Sequence, residues 1–577
     1  MMKSTTPPLR KPDKTRKPGP SKSLPGKPFI HRYAFLLLIL VPTIVYFKTI
    51  SFDFTKLDDH VFIQENHVYN SHPGNVFTSF HRGLFARNDD VFYRPVLLAD
   101  FILESQLFGT DPKGYHFTNI LLHICCVLLL YLFLRKIDIP DTNALILSLV
   151  FAVHPILSQA VAWIPGRNDM LLVLFFFGCA ILVIKYLLKP GWVLFTGQFL
   201  FLLLALFTKE TGVIIPLILG ILILLKYKTN WKSWLPLAFS WLVAILIWFF
   251  MRAAAGIGKG EAAPSALIRH AIPRLPALIQ YLGKIFLPVN QSVFPSLAGT
   301  TYTWGILSMV ALTALIILSK SYKKPLTIIG FIWYILFLIP VFMVPSDKND
   351  QIFEHRLYLP IVGILLILSQ TLLFKEKIKD EKKFIMALCV IAVFAIASYV
   401  HIDAFRDSLT FWNKAVEDNP GSADAKMVLG MQLRDPDEQE KVFKEAYNQN
   451  SHIRMLNQIL GKFAMNHDQN AEAKEYFLKE LKLTKLPETY SCLAHIYIST
   501  GMLDSGAFCL QKSIDLSIRD KGLKDDFNPD LLQEACHNLV LVYLNQNQKD
   551  KALGVISQMR KNDLTVPQDM LDLIAKP

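Results

Sequence analysis

The stretch LLVLFFFGCAILVIKYLLKPGWVLFTGQFLFLLLALFTKETGVIIPLILGILILLKYK, residues 171–228, decides the fold. Three apolar runs lie in it, and what separates them alternates. Lys185 and Lys189 stand at the first break, Lys209-Glu210-Thr211-Gly212 at the second, and Lys226 with Lys228 at the third. Apolar runs of about 16–20 residues cross roughly 30 Å of hydrocarbon as helices. Working outward, similar runs fall at roughly 33–50, 117–134, 143–162, 169–188, 192–208, 211–226, 234–252, 303–320, 325–344, 357–374 and 383–400. The stretch 275–289 carries Lys284 and two prolines and reads as interfacial or re-entrant. The expectation is an all-α chain: a polytopic bundle of about 11 spans over 33–400, then a segment of ordinary soluble composition over 407–577.

Composition agrees. Of 577 residues, 52% are hydrophobic and 19% charged, and the mean hydropathy is +0.34. Soluble domains usually carry about a quarter charged residues, so the composition excludes a disordered chain and argues against a wholly soluble one. The net charge of +13 does not point to nucleic acid, because residues 1–32, a Pro-rich tail, hold nine Lys/Arg against Asp13 alone. A basic tail directly before a first span reads as a cytoplasmic anchor, and no small-residue cleavage site follows that span. The seven cysteines show no CxxC and no Cys/His metal spacing.

Positive charge sets the expected topology. With the N-terminus inside, the inner loops hold Arg135/Lys136, Lys185/Lys189, Lys226/Lys228/Lys232, Lys320/Lys323/Lys324 and Lys375/Lys377/Lys379/Lys382/Lys383. The outer loops are poorer in Lys and Arg, which places the C-terminus outside. The polar clusters Asp58-Asp59, Asn88-Asp89-Asp90 with Tyr93-Arg94-Pro95, His154-Pro155, Gly166-Arg167-Asn168-Asp169, Lys209-Glu210 and Glu354-His355-Arg356 all fall on the outer side. Polar groups at membrane depth line cavities or pair with each other, so these clusters point to one outer site.

The long first outer loop, 52–116, holds Asp58 and Asp59, either of which is placed to act as a general base on an acceptor hydroxyl. An isolated Asp-Asp is ordinarily a plain acidic loop; the cations change the balance. Arg94, Arg167, Lys209 and Arg356 near helix ends fit phosphate oxygens, arginine by its fork and lysine as a point charge. Singly, each reads as a snorkelling cation. Asp169 and Glu210 are then counter-charges, His154 lines the cavity or satisfies a helix break, and Glu354 and His355 are supporting residues. From Phe411 to about Asn562 the chain reads as helical hairpins. Leu460-Gly461 with Ala471 and Ala473, Leu493-Ala494 with Gly501 and Ala507, and Leu539 with Tyr543 and Ala552 form three similar units, a degenerate tetratricopeptide solenoid.

The order Asp58-Asp59, Tyr93-Arg94-Pro95, Tyr115-His116-Phe117-x-Asn119-x-x-Leu122-His123, His154-Pro155, Gly166-Arg167-x-Asp169, Lys209-Glu210-x-Gly212, Glu354-x-Arg356-Leu357-Tyr358-Leu359-Pro360, followed by repeats, resembles the transmembrane-and-tetratricopeptide-repeat protein O-mannosyltransferases. These belong to the GT-C group of polytopic glycosyltransferases. The resemblance implies a polyprenyl-phosphate sugar donor, exported proteins as acceptors through the repeats, and an acidic base in the first outer loop, here Asp58 or Asp59. It implies Arg94, Arg167 and Arg356 as donor contacts. The chain departs from the family in carrying His355 between Glu354 and Arg356. No metal ligand set is expected and divalent-metal dependence is left open. Two other readings compete: a membrane-anchored tetratricopeptide scaffold for envelope assembly, and a lipid-linked-sugar transporter. The expected location is a bacterial inner membrane with a periplasmic C-terminal domain, or the endoplasmic reticulum with a lumenal one.

Overall fold

A computed structural model describes residues 33–85, 90–227, 229–257, 264–289, 291–343, 351–374, 379–521 and 528–575. The basic tail, Asn88-Asp89, Lys228, Lys375 and Lys377 lie outside the described residues. Among the described residues the chain is helical throughout, with an isolated antiparallel bridge between Ser296 and Gln351 instead of a sheet. It is an all-α polytopic membrane protein with a helical C-terminal region.

Among the described residues, seven helices are long and apolar enough to cross a membrane: Ala34–Ser51, Pro112–Lys136, Ile164–Leu188, Glu210–Tyr227, Trp231–Ala254, Pro325–Phe342 and Asp380–Phe405. An eighth candidate is the pair Asp141–Ala152 and Pro155–Ala162, bent by 53°. Proline has no N–H and disfavours helix in the residue before it. His154 is accordingly extended, and its ring fills the break: Nδ1 accepts from the Ile156 N–H at 3.3 Å and Nε2 lies 2.9 Å from the Ile285 carbonyl.

The expected spans at 192–208 and 303–320 form shorter apolar helices, Trp192–Thr208 and Thr303–Leu318. At 1.5 Å per residue they fall somewhat short of the hydrocarbon thickness. The expected span at 357–374 is α-helical over Ile361–Ser369, with a separate 3-10 turn at Leu372–Phe374, because Pro360 restarts the chain after the Glu354–Leu357 turn. The helix Ala277–Phe286 occupies the stretch read as re-entrant, and its Lys284 is buried. Helix crossings are close: a methyl added to Gly330 would lie 2.4 Å from the Gly363 carbonyl. Small residues permit this approach, which replaces the hydrophobic drive missing between helices in lipid.

Beyond the spans, consecutive helices pack mostly on their chain neighbours, as in quasi-one-dimensional folds. Four hairpins follow Ser408–Asp418: Ala423–Gln432 with Pro436–Gln449, Leu456–Asn466 with Asn470–Leu483, Pro487–Ser499 with Leu503–Lys521, and Pro529–Asn545 with Lys549–Lys561. The first was not singled out in the sequence. Gly430 meets the Phe443 ring as Gly461 meets Phe477, so the first two hairpins share one packing device. The helix Ser408–Asp418 is different. Phe411, Trp412 and Ala415 are buried in the same core as the membrane helices.

Candidate functional site

The turn Phe54–His60 is built around two carboxylates that point different ways. Asp59 is buried and serves the backbone. Its Oδ2 accepts from the Thr55 N–H at 2.7 Å and hydroxyl at 2.8 Å, and its Oδ1 from the His60 N–H at 2.9 Å. Burial pushes its pKa up to about 7, against those donors, which pull it back. Asp58 is half-buried and lines a cavity of about 410 Å³. Lys56 and Asp58 have φ of +57° and +69°. The left-handed region costs about 1–2 kcal/mol for a side chain such as that of Lys56, while aspartate adopts it more readily, so tertiary contacts help to hold the turn. Two indoles do so. Trp163 Nε1–H donates to the Leu57 carbonyl at 2.7 Å, and Trp412 Nε1–H to the Thr55 carbonyl at 3.0 Å.

The same cavity is lined by Arg94, Lys209, Glu210, Arg252, His355 and Arg356. Arg94 forks onto Glu210 Oε2 at 3.1 and 3.0 Å, while Glu210 Oε1 accepts from the Tyr93 N–H at 2.9 Å. Lys209 Nζ donates to Asp169 at 2.6 Å and to Asn168 at 3.2 Å. Arg252 donates to the Val91 carbonyl at 3.2 Å. Arg356 donates to the Gln351 carbonyl at 2.8 Å and lies over the Phe353 ring, and among the described residues no carboxylate is within ion-pair distance of it. The rest of the lining is largely apolar, with Phe62, Leu84, Phe92, Trp248, Pro340 and Met343, and Arg94 lies over the Phe92 ring at 4.5 Å.

His355 has a fixed hydrogen. Gln159 Nε2 donates to the Val293 carbonyl, so Oε1 faces His355 and accepts from its backbone N–H and from Nδ1, each at 3.1 Å. Burial, then the charges of Lys209, Arg356 and Arg94, hold its pKa well below the ordinary value. The neutral ring therefore keeps its hydrogen on Nδ1 and leaves Nε2 as an acceptor.

Of the residues expected to converge, Asp58, Arg94, Lys209, Glu210, His355 and Arg356 line the cavity, and Asp59 and Asp169 stand behind it. Three lie elsewhere. Arg167 is fully buried between Asp100, Glu104, Asn119 and the Tyr115 carbonyl. His154 occupies the helix break. Glu354 accepts from Lys284 Nζ at 2.5 Å and from the Ser292 N–H at 3.0 Å, bracing the loop that carries His355 and Arg356. Sequence reasoning missed Arg252, Trp163, Trp248 and Trp412. An arginine closing an apolar run ordinarily snorkels, and nothing local sets Arg252 apart. Among the described residues no three His, Cys, Asp or Glu side chains converge as a metal cage.

No family model matches the chain. Its curated relatives are protein O-mannosyl-transferases. One from Caenorhabditis elegans is 25% identical over 430 residues, covering 69% of this chain and 60% of the worm protein. A human one is 35% identical over 154 residues, 24% of this chain and 17% of that protein. A second human one is 36% identical over 84 residues, 15% of this chain and 9% of that protein. The chain thus spans less than two thirds of each of these relatives. Among solved structures, the oligosaccharyltransferase of Archaeoglobus fulgidus, tethered to an acceptor peptide, aligns with a TM-score of 0.38 at 15% identity, over 73% of this chain and 59% of that one.

Proposed function

We propose that this chain transfers a mannose-like sugar from a polyprenyl phosphate to serine or threonine hydroxyls of exported proteins, with Asp58 as the base. The observation that carries the reading is one cavity lined by Asp58, Arg94, Lys209, Arg252 and Arg356 together with apolar side chains. The named activity of the relatives supports it.

The chemistry follows from the charges. The acceptor hydroxyl oxygen attacks the anomeric carbon, Asp58 takes its proton, and the bond from that carbon to the phosphate oxygen breaks with inversion. Phosphate leaves as an anion, so cations do the work that a general acid does when the leaving group is an alkoxide. Arg94 and Lys209 are already neutralised by Glu210 and Asp169. Arg356 carries no such counter-charge among the described residues and is the first choice for the donor phosphate; Arg252 lines the same cavity. The polyprenyl chain lies against Phe62, Phe92 and Trp248. Arg167 supports this site by packing, not by touching the donor.

The domain reading runs with this. Residues 33–400 carry the donor site, and the hairpins after 420, read as degenerate tetratricopeptide units, present an extended acceptor. The cavity faces the extracytoplasmic side. The test uses the purified chain in lipid nanodiscs, polyprenyl-phosphate mannose and a Ser/Thr peptide. Asp58→Asn should fold, because asparagine tolerates the left-handed backbone, and should lose about 100- to 10,000-fold in rate. Transfer by Asp58→Asn at the wild-type rate removes Asp58 from this role.

A further inference from the structure

Five aromatic side chains join the two carbonyls that flank Lys56. From the Thr55 carbonyl the path runs through Trp412 to Phe294 (ring centroids 5.3 Å apart), to Phe353 (5.6 Å), to His355 (5.3 Å), to Trp163 (5.1 Å), and back to the Leu57 carbonyl. Trp163, Phe353 and His355 also line the cavity that Asp58 faces. The arc is therefore closed through the turn itself. Trp163 belongs to the membrane unit, whereas Trp412 lies 357 residues from Thr55, on the first helix after the last span. A second backbone contact ties the same segments: the Asp53 N–H donates to the Arg406 carbonyl at 2.8 Å.

We infer that Trp412 and Trp163 are positioning residues for Asp58, and that the segment Arg406–Trp412 is part of the donor-site machinery instead of a tether to the repeats. The inference rests on the reading of Asp58 as the base. Lys56 sits in a left-handed backbone region that its side chain disfavours, and Asp58 in the same region, which aspartate tolerates without being fixed there, so the direction of the Asp58 carboxylate depends on what grips the carbonyls around it. Asp59 grips the turn from inside through Thr55. The two indole N–H groups grip it from outside, on either side of Lys56. Both indoles are buried, and the Trp412–Thr55 bond is closed off from water, so its loss leaves the Thr55 carbonyl without a substitute donor; the Trp163–Leu57 bond is part-buried at the cavity edge. A shift of about 1 Å in a catalytic group is enough to slow a reaction about 100-fold.

The test uses the full chain with Trp412→Phe, Trp163→Phe and the double variant. Phenylalanine keeps a ring against Phe294 or His355 and deletes only the donor. The expected result for each single variant is a kcat lowered by about 10- to 100-fold, with the Kd for polyprenyl-phosphate mannose within about twofold of wild type, because no phosphate contact is touched. Both act through one turn, so the double variant should lose less than the product of the two single losses. A purely structural role predicts the opposite signature: kcat per folded molecule unchanged, or donor Kd weakened in step with rate. Either result overturns the inference, as does a fully multiplicative double variant. Asp58→Asn run alongside separates the two failures. If it transfers at the wild-type rate, the reading of Asp58 fails; if it is inactive while Trp412→Phe is normal, only the positioning role fails.

Discussion

Replacing Arg167 with methionine removes the partner of a buried charge cluster without changing the cavity. Arg167 donates from Nε to Asn119 at 3.0 Å, from Nη1 to Asp100 at 2.8 Å and to Glu104, and from Nη2 to the Tyr115 carbonyl at 2.8 Å. It thereby ties the helices Pro95–Phe108, Pro112–Lys136 and Arg167–Leu188 together. Breaking a buried ion pair from one side destabilises by about 3–5 kcal/mol, mostly through the charge left behind. That is about 150- to 4,000-fold in the folding equilibrium, at 1.4 kcal/mol per factor of ten. Two carboxylates are orphaned here, but unequally. Asp100 is partly exposed, while burial raises the Glu104 pKa and Asp100 adds to that rise against the pull of Arg167. Glu104 will therefore take a proton once Arg167 is gone, and the penalty should shrink as pH falls from 8 to 5. Glu104→Gln in the Arg167→Met background should recover roughly half of it. The assay is thermal unfolding of the detergent-solubilised protein across that pH range, alongside donor binding. An Arg167→Met protein that melts like wild type yet binds donor tenfold more weakly would refute the staple and return Arg167 to the phosphate.

Two further outcomes are expected. Arg356→Met should raise the KM for the lipid donor by about 10- to 100-fold, the worth of about 1.5–3 kcal/mol for a hydrogen bond to a charged group, with the melting temperature little changed; steady-state kinetics read it. Asp59 has a folded pKa of about 7, above the ordinary value of 3.8. A raised folded pKa means that the fold holds the proton more tightly than the unfolded chain does, so its contribution is complete below about pH 4 and is lost as pH rises to about 7. Wild-type stability should fall across that window more steeply than that of Asp59→Asn, in melting curves at closely spaced pH values; parallel curves would mean that the Asp59 carboxyl does not titrate there.

The apolar runs, their spacing and the alternation of lysine with polar clusters determined the membrane class by themselves, because hydrocarbon imposes a length and an apolarity that no packing detail can relax. The conjunction of short motifs was equally legible, and it pointed to the relatives later found. The number of full spans was not, since where an apolar run of 16–20 residues starts and stops being helical, and so whether it reaches across, depends on breaks and packing such as those at Pro155 and Pro360. Roles within the site were decided by tertiary structure. Asp58 and Asp59 are adjacent and chemically identical, and only a positive φ and a Thr55 contact send one to the cavity and the other to the backbone. Arg167 and Arg356 look alike in sequence, yet two acids one and two turns along another helix claim Arg167 and none among the described residues claims Arg356. Lys284 finds Glu354 across 70 residues and Trp412 finds Thr55 across 357. Charge pairing and donor direction act over about 3 Å in space, and the chain alone does not say which distant residues will stand that close.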